Sequence, residues 1–122
     1  MKTRQELKRE YKERKKAAGV FQVKNTVNGK ILLGSSLNLE GPLNSHRFML
    51  EIGRHRNALL QKEWDQYGAE KFVFEILEAV TMKDDPEFDL NDELELLEHV
   101  WLDKLQPFGE RGYNADQRIR QA

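Results

Sequence analysis

Between Leu43 and Lys62 the sequence carries Arg47, Arg54, Arg56 and Lys62 against one acid, Glu51, a local balance of +3. Arginine presents a planar fork of donors that matches phosphate oxygens, and fixed cations are what a polyanion binds. Lys30 is a fifth candidate for the same work. Residues 1–16 hold eight Lys/Arg against three Glu, while residues 81–98 hold eight acids against Lys83. The net charge of −1 therefore hides a segregation of sign. Read as chemistry, it offers one basic side to an anionic partner. Read as packing, it is two solvated helix faces and an acidic helix start. Ser35 and Ser36 allow two readings as well: a backbone cradle for phosphate at a helix start, or simple caps.

Bulk properties narrow the classes. The chain has 122 residues, which predicts one domain with a modest core. Apolar residues make up 39% and charged residues 34%, the balance of a folded and highly soluble protein. No apolar run approaches the ~18–20 residues of a membrane span, so no membrane partner is expected. The N-terminus is charged throughout and lacks a secretory core. There is no cysteine, which excludes disulfides and thiolate metal sites and fits a cytoplasmic protein.

The elements that must position these groups can be read from spacing. Thr3 and Glu6 form a capping-box pattern and predict a helix to about Lys16, wet and basic, with Leu7 and Tyr11 on one face. Gly19 ends it, and Val20 to Val23 reads as a strand. Asn28-Gly29 is a strong hairpin signal, and Lys30 to Leu33 is the return strand. Gly41-Pro42 predicts a helix starting near Pro42 and broken at Gly53. A second helix runs from His55 to Tyr67, with Leu59, Leu60, Glu63, Trp64 and Tyr67 near one stripe. Phe72 to Leu77 alternates as a third strand. Asn91 or Asp92 caps a last helix that reaches about Leu105 and ends before Pro107. The order α-β-β-α-α-β-α predicts an α/β fold, an α+β layer in which a small three-stranded sheet is flanked by helices. Residues 1–18 form a basic N-terminal helix, residues 19–115 the domain proper, and residues 116–122 a tail.

In sequence order, Gly19-Val20-Phe21, Asn28-Gly29, Leu32-Leu33-Gly34-Ser35-Ser36, a histidine at 46, a glutamate in the last helix and Gly112-Tyr113-Asn114 resemble the GIY-YIG nuclease family. The resemblance runs from about Gly19 to Asn114. It extends to Val27-Asn28-Gly29-Lys30, Phe74-Glu75-Ile76-Leu77-Glu78 and Trp101-Leu102-Asp103-Lys104-Leu105. It implies a divalent-metal-dependent endonuclease, a phosphodiester hydrolase that acts on DNA. In the family two tyrosines sit together at the site and help activate water. A helix arginine binds the scissile phosphate, a glutamate holds the metal, and a histidine and an asparagine complete the set. Carried over by position, the histidine is His46, the metal glutamate is Glu98 and the asparagine is Asn114. The two tyrosines fall on Phe21 and Leu32, and the arginine falls on Pro42.

Phenylalanine and leucine hold no proton and orient no water. Loss of a positioned base costs ~10²–10⁴ in rate, and loss of a charge on the transition state costs a comparable factor. Phe21 and Leu32 either fill the core or floor an apolar patch. Of the pair, the His46 imidazole suits Zn²⁺ or Mn²⁺ and the Glu98 carboxylate suits Mg²⁺, but two ligands are few in number; Mg²⁺ or Mn²⁺ is the expected cofactor if the site is active. Their other reading is local: Glu98 pairs with a basic helix, and Asn114 satisfies backbone. Three functions follow from the residues. One is a catalytically degenerate GIY-YIG domain that binds DNA through Lys30, Arg47, Arg54, Arg56 and Lys62. A second is an active nuclease with a displaced base, His46 or Lys30, and a metal on Glu98. A third is a protein-interaction module. Oligomeric state is left open.

Overall fold

The computed structural model describes residues 3–6 and 17–115. At the N-terminus the capping box closes: the Glu6 N–H donates to Thr3 Oγ1 at 3.2 Å, and the Thr3 N–H to the Glu6 carboxylate at 3.3 Å. The rest of the expected basic helix and the tail at residues 116–122 lie outside the described residues.

Strands β1 (Gly19–Asn25) and β2 (Ile31–Ser36) form the expected hairpin. The turn is wider than a two-residue one. Gly29 alone takes a left-handed backbone, φ 79°, and its N–H donates to the Asn25 carbonyl at 2.8 Å. Strand β3 (Phe72–Ala79) pairs antiparallel with the other side of β1, giving the order β2-β1-β3. β1 is therefore central, and six of its seven residues are buried. Such a strand needs apolar cover on both faces, and the alternation of its side chains divides the core in two.

Helices α1 (Glu40–Glu51) and α2 (Ala58–Tyr67) cover one face. Leu50, Leu60 and Trp64 meet Val23, Phe72 and Tyr113 there, with Leu32 and Phe74 against them. Helix α3 (Leu90–Leu105) covers the other, with Leu97, Trp101, Leu102 and Leu105 on Val20, Ile31 and Leu33. The result is the α+β layer expected from the sequence. No helix among the described residues is long and apolar enough to cross a membrane.

Four local expectations are corrected. α2 starts at Ala58 rather than His55, because the Asn57 side chain accepts from the Leu60 N–H and caps it there. α1 starts at Glu40, so Pro42 is its third residue rather than its first. A proline there costs no helical bond, because first-turn N–H groups have no intrahelical acceptor. Ser35 and Ser36 do not cap α1, since both finish β2; Leu39 stands at the N-cap and makes no side-chain bond. The cap of α3 is Asp89, whose carboxylate accepts from the Asn91 and Asp92 N–H groups. Asp89 is the residue left outside the helix with an extended backbone, and only that residue can turn its side chain onto the free N–H groups.

Gly34 is required by a neighbour. A Cβ there would lie 2.5 Å from Cζ of Phe21, whose Cα is its cross-strand partner. Gly34→Ala should lower stability by about 1–3 kcal/mol in urea unfolding, the cost of overpacking. In a Phe21→Ala background the same change should cost less than half as much.

Candidate functional site

Three of the residues singled out by sequence, Phe21, Glu98 and Asn114, touch one short strip of β2, Leu33 to Ser35, and His46 lies behind Phe21. Phe21 is 3% exposed and its ring lies over Gly34. On the α1 side the His46 ring packs against Phe21, with centroids 5.5 Å apart. On the α3 side Ser35 donates its hydroxyl to the Glu98 carboxylate. Ser35 pairs with Val20, which is buried in the α3-facing core, so Glu98 and His46 lie on opposite faces of the sheet and do not converge on one cleft. From the edge comes Asn114. Its Oδ1 accepts the Leu33 N–H at 2.8 Å and its Nδ2 donates to the Leu33 carbonyl at 2.8 Å. The carboxamide thus pairs with the outer edge of β2 as another strand's peptide group would. Among the described residues no hydrogen bond joins His46, Glu98 and Asn114 to one another.

Leu32 sits one residue before the strip and packs into the core beside Val23. Phe21 is buried and Leu32 half-buried, and neither carries a polar group. Pro42 lies in the first turn of α1 and brings no charge to the site.

His46 has a partner that sequence spacing did not pair with it. Its Nδ1 is 2.7 Å from Nε2 of His55, and the two rings stack with centroids 5.0 Å apart. The turn between α1 and α2 folds the chain back and makes this contact. The Asn57 N–H donates to His55 Nδ1 at 3.0 Å, so the proton of neutral His55 sits on Nε2. His55 then donates to His46, and the proton of His46 sits on its own Nε2. Burial, then the His55 and Arg56 charges, hold His46 down to about 4. Burial and then Arg56 lower His55 as well. At neutral pH His46 is an uncharged donor with its acceptor nitrogen occupied, a poor arrangement for a general base.

The five cations separate. Lys30 is 3.8 Å from a Glu63 carboxylate oxygen and is drawn into the protein. Arg47 holds its guanidinium 4.6 Å over the Phe74 ring. Arg54, Arg56 and Lys62 are exposed on the α1–α2 turn and on α2.

No group of three or more His, Cys, Asp or Glu side chains gathers among the described residues. Among the described residues Glu98 is the one carboxylate bonded to the strip, and Ser35 already engages it. A lone carboxylate holds Mg²⁺ only when phosphate and water supply the other oxygens.

The fold has a known counterpart. The catalytic domain of the homing endonuclease I-TevI is 31% identical to this chain, with a TM-score of 0.63 over 81% of this chain and 99% of that domain. The chain belongs to the GIY-YIG nuclease superfamily. A mutant of the same intron endonuclease domain matches at 28% identity and a TM-score of 0.62, over 80% of this chain and 92% of that one. Intron-associated endonuclease 1 of Enterobacteria phage T4 is 34% identical over 68 residues, which are 56% of this chain and 27% of that protein. This chain thus spans about a quarter of the length of that curated relative. No protein-family model matches the sequence.

The lowered His46 has a thermodynamic consequence. Its ordinary value of 6.5 applies when unfolded and about 4 when folded, so between these limits the unfolded chain binds more protons. Stability then rises with pH across that window and falls on acidification from about pH 6.5 to about pH 4. His46→Gln should flatten that part of the stability profile, measured as the urea midpoint at about pH 7 and about pH 5.

Proposed function

We propose that this GIY-YIG nuclease-like domain binds DNA and does not cut it by the family's route. The observation that carries the reading is the hydrocarbon at Phe21 and Leu32. Phe21 covers Gly34 and abuts His46, and Leu32 packs half-buried against the core, so neither position offers a hydroxyl where the family places its phenols. Loss of a base costs about 10²–10⁴ and loss of the arginine at Pro42 a similar factor. His46, neutral and already accepting from His55, is a weak substitute.

Binding has better support. Arg54, Arg56 and Lys62 are exposed and free of acidic partners among the described ion pairs. His46 keeps an Nε2–H donor for a phosphate oxygen. The similarity to a homing endonuclease domain favours DNA as the polyanion. Lys30 is withdrawn from the contact set because Glu63 holds it, and Arg47 contributes from above Phe74.

Fluorescence anisotropy with labelled duplex DNA across about 50–200 mM salt tests the binding. Affinity should fall linearly on a double-logarithmic plot. Arg54→Ala and Arg56→Ala should each reduce the slope by about 0.9. Binding that ignores salt would sink the nucleic-acid reading and favour a protein partner.

Supercoiled plasmid with Mg²⁺ or Mn²⁺ should stay uncut. Nicking that Glu98→Ala abolishes would establish an active nuclease instead.

A further inference from the structure

Glu63 is a charged residue on the buried stripe of α2, 7% exposed, and the site described above does not use it. Every polar neighbour turns toward it. The Tyr113 hydroxyl donates to Glu63 Oε1 at 2.6 Å. Asn28 donates its amide to both carboxylate oxygens, at 2.9 and 3.2 Å. Asn25, fully buried, divides its amide between Glu63 at 3.5 Å and the Tyr113 oxygen at 3.2 Å. Lys30 supplies the balancing charge. Burial alone raises the carboxyl, but the bonds from Tyr113 and Asn28, the Lys30 charge and the Asn25 bond outweigh it and hold it below the usual range. The carboxylate is thus ionised and saturated by donors.

What this network grips is the segment that closes the sheet. Tyr113 is followed by Asn114, the side chain that pairs with Leu33. The Tyr113 N–H also donates to the Ile31 carbonyl at 2.9 Å, and its carbonyl accepts from Asn57 Nδ2 at 2.7 Å. Gly112, at the start of the segment, has no room for a Cβ, which would lie 2.1 Å from the Pro107 carbonyl oxygen. The phenol is the only part of this segment that reaches Glu63.

We propose that Glu63 is a positioning residue: through Tyr113 it holds Asn114 on the free edge of β2 and so sets the Leu33 to Ser35 strip. The role is local. The rest of the sheet is held by β1–β3 pairing and by the two apolar cores, none of which needs the carboxylate. The importance of the strip rests on the functional reading above, but the geometry of the latch does not.

Amide hydrogen exchange at Leu33 reads the latch directly. Tyr113→Phe keeps the ring in the core and removes only the hydroxyl. It should speed Leu33 exchange by about ten- to a hundredfold, the size expected for a lost hydrogen bond to a charged group. Amides of the β1–β3 ladder should keep their rates. Glu63→Gln should act in the same direction. In an Asn114→Ala background, where Leu33 has already lost its acceptor, Tyr113→Phe should add nothing at Leu33. This non-additivity is what a general loss of stability would not produce. An unchanged Leu33 rate in Tyr113→Phe, an equal rise at all amides, or multiplying effects in the double variant would overturn the proposal. DNA affinity measured on the same chain decides the binding reading separately, because the exchange result stands with or without DNA.

Discussion

The rest of the structure depends on the burial of β1. A central strand with six of seven residues out of water has to be paired on both edges and covered on both faces. β2 and β3 supply the edges, α1 and α2 one cover, α3 the other. Each paired strand then has an outer edge of its own, and unpaired N–H and C=O groups are a standing invitation to other strands. On β2 that edge is met by Tyr113 and Asn114, first by a backbone bond and then by a side chain acting as a peptide group. The strip on which the family's residues gather is therefore also the place where the sheet is closed.

That double duty changes what the retained residues are free to do. Asn114 spends an acceptor and a donor on Leu33, Glu98 accepts from Ser35, and His46 accepts from His55. Each has a structural occupation that suffices to explain its presence. The two substituted phenols show the same economy. Phe21 lies on a glycine with no side chain to obstruct it, and Leu32 extends the core under α1 and α2.

The buried polar network at Glu63 belongs to the same logic. A lone buried carboxylate would be severely destabilising, whereas one with donors at both oxygens and a nearby ammonium is tolerable. In return it links β1, the hairpin turn, α2 and the closing segment, which are far apart in sequence. Apolar contacts could bring those segments together but could not define their register as a set of directed bonds does.

Spacing was enough to read the local order. The Thr3–Glu6 box, the strand before an Asn-Gly turn, the alternation of Phe72, Phe74 and Ile76, and the helix stopped before Pro107 all follow from backbone preferences acting over a few residues. The family pattern was legible too, because it is carried by residue types in a fixed order. The exact caps were not: Leu39 rather than a serine precedes α1, and Asp89 rather than Asn91 or Asp92 caps α3, since neighbouring polar residues compete and the chain's path decides between them. The specific partners across the fold were not legible in the sequence. His46 with His55, Glu63 with Tyr113 and Asn114 with Leu33 depend on how a turn folds back and which edge a tail meets. By itself the sequence determined the elements, their order and the absence of phenols at positions 21 and 32. Only the tertiary structure decided that Phe21 is buried and Leu32 packs against the core, and which partners His46, Glu98 and Asn114 take within the fold. Burial and hydrogen-bond pairing are properties of surfaces brought together, and no single stretch of chain contains them.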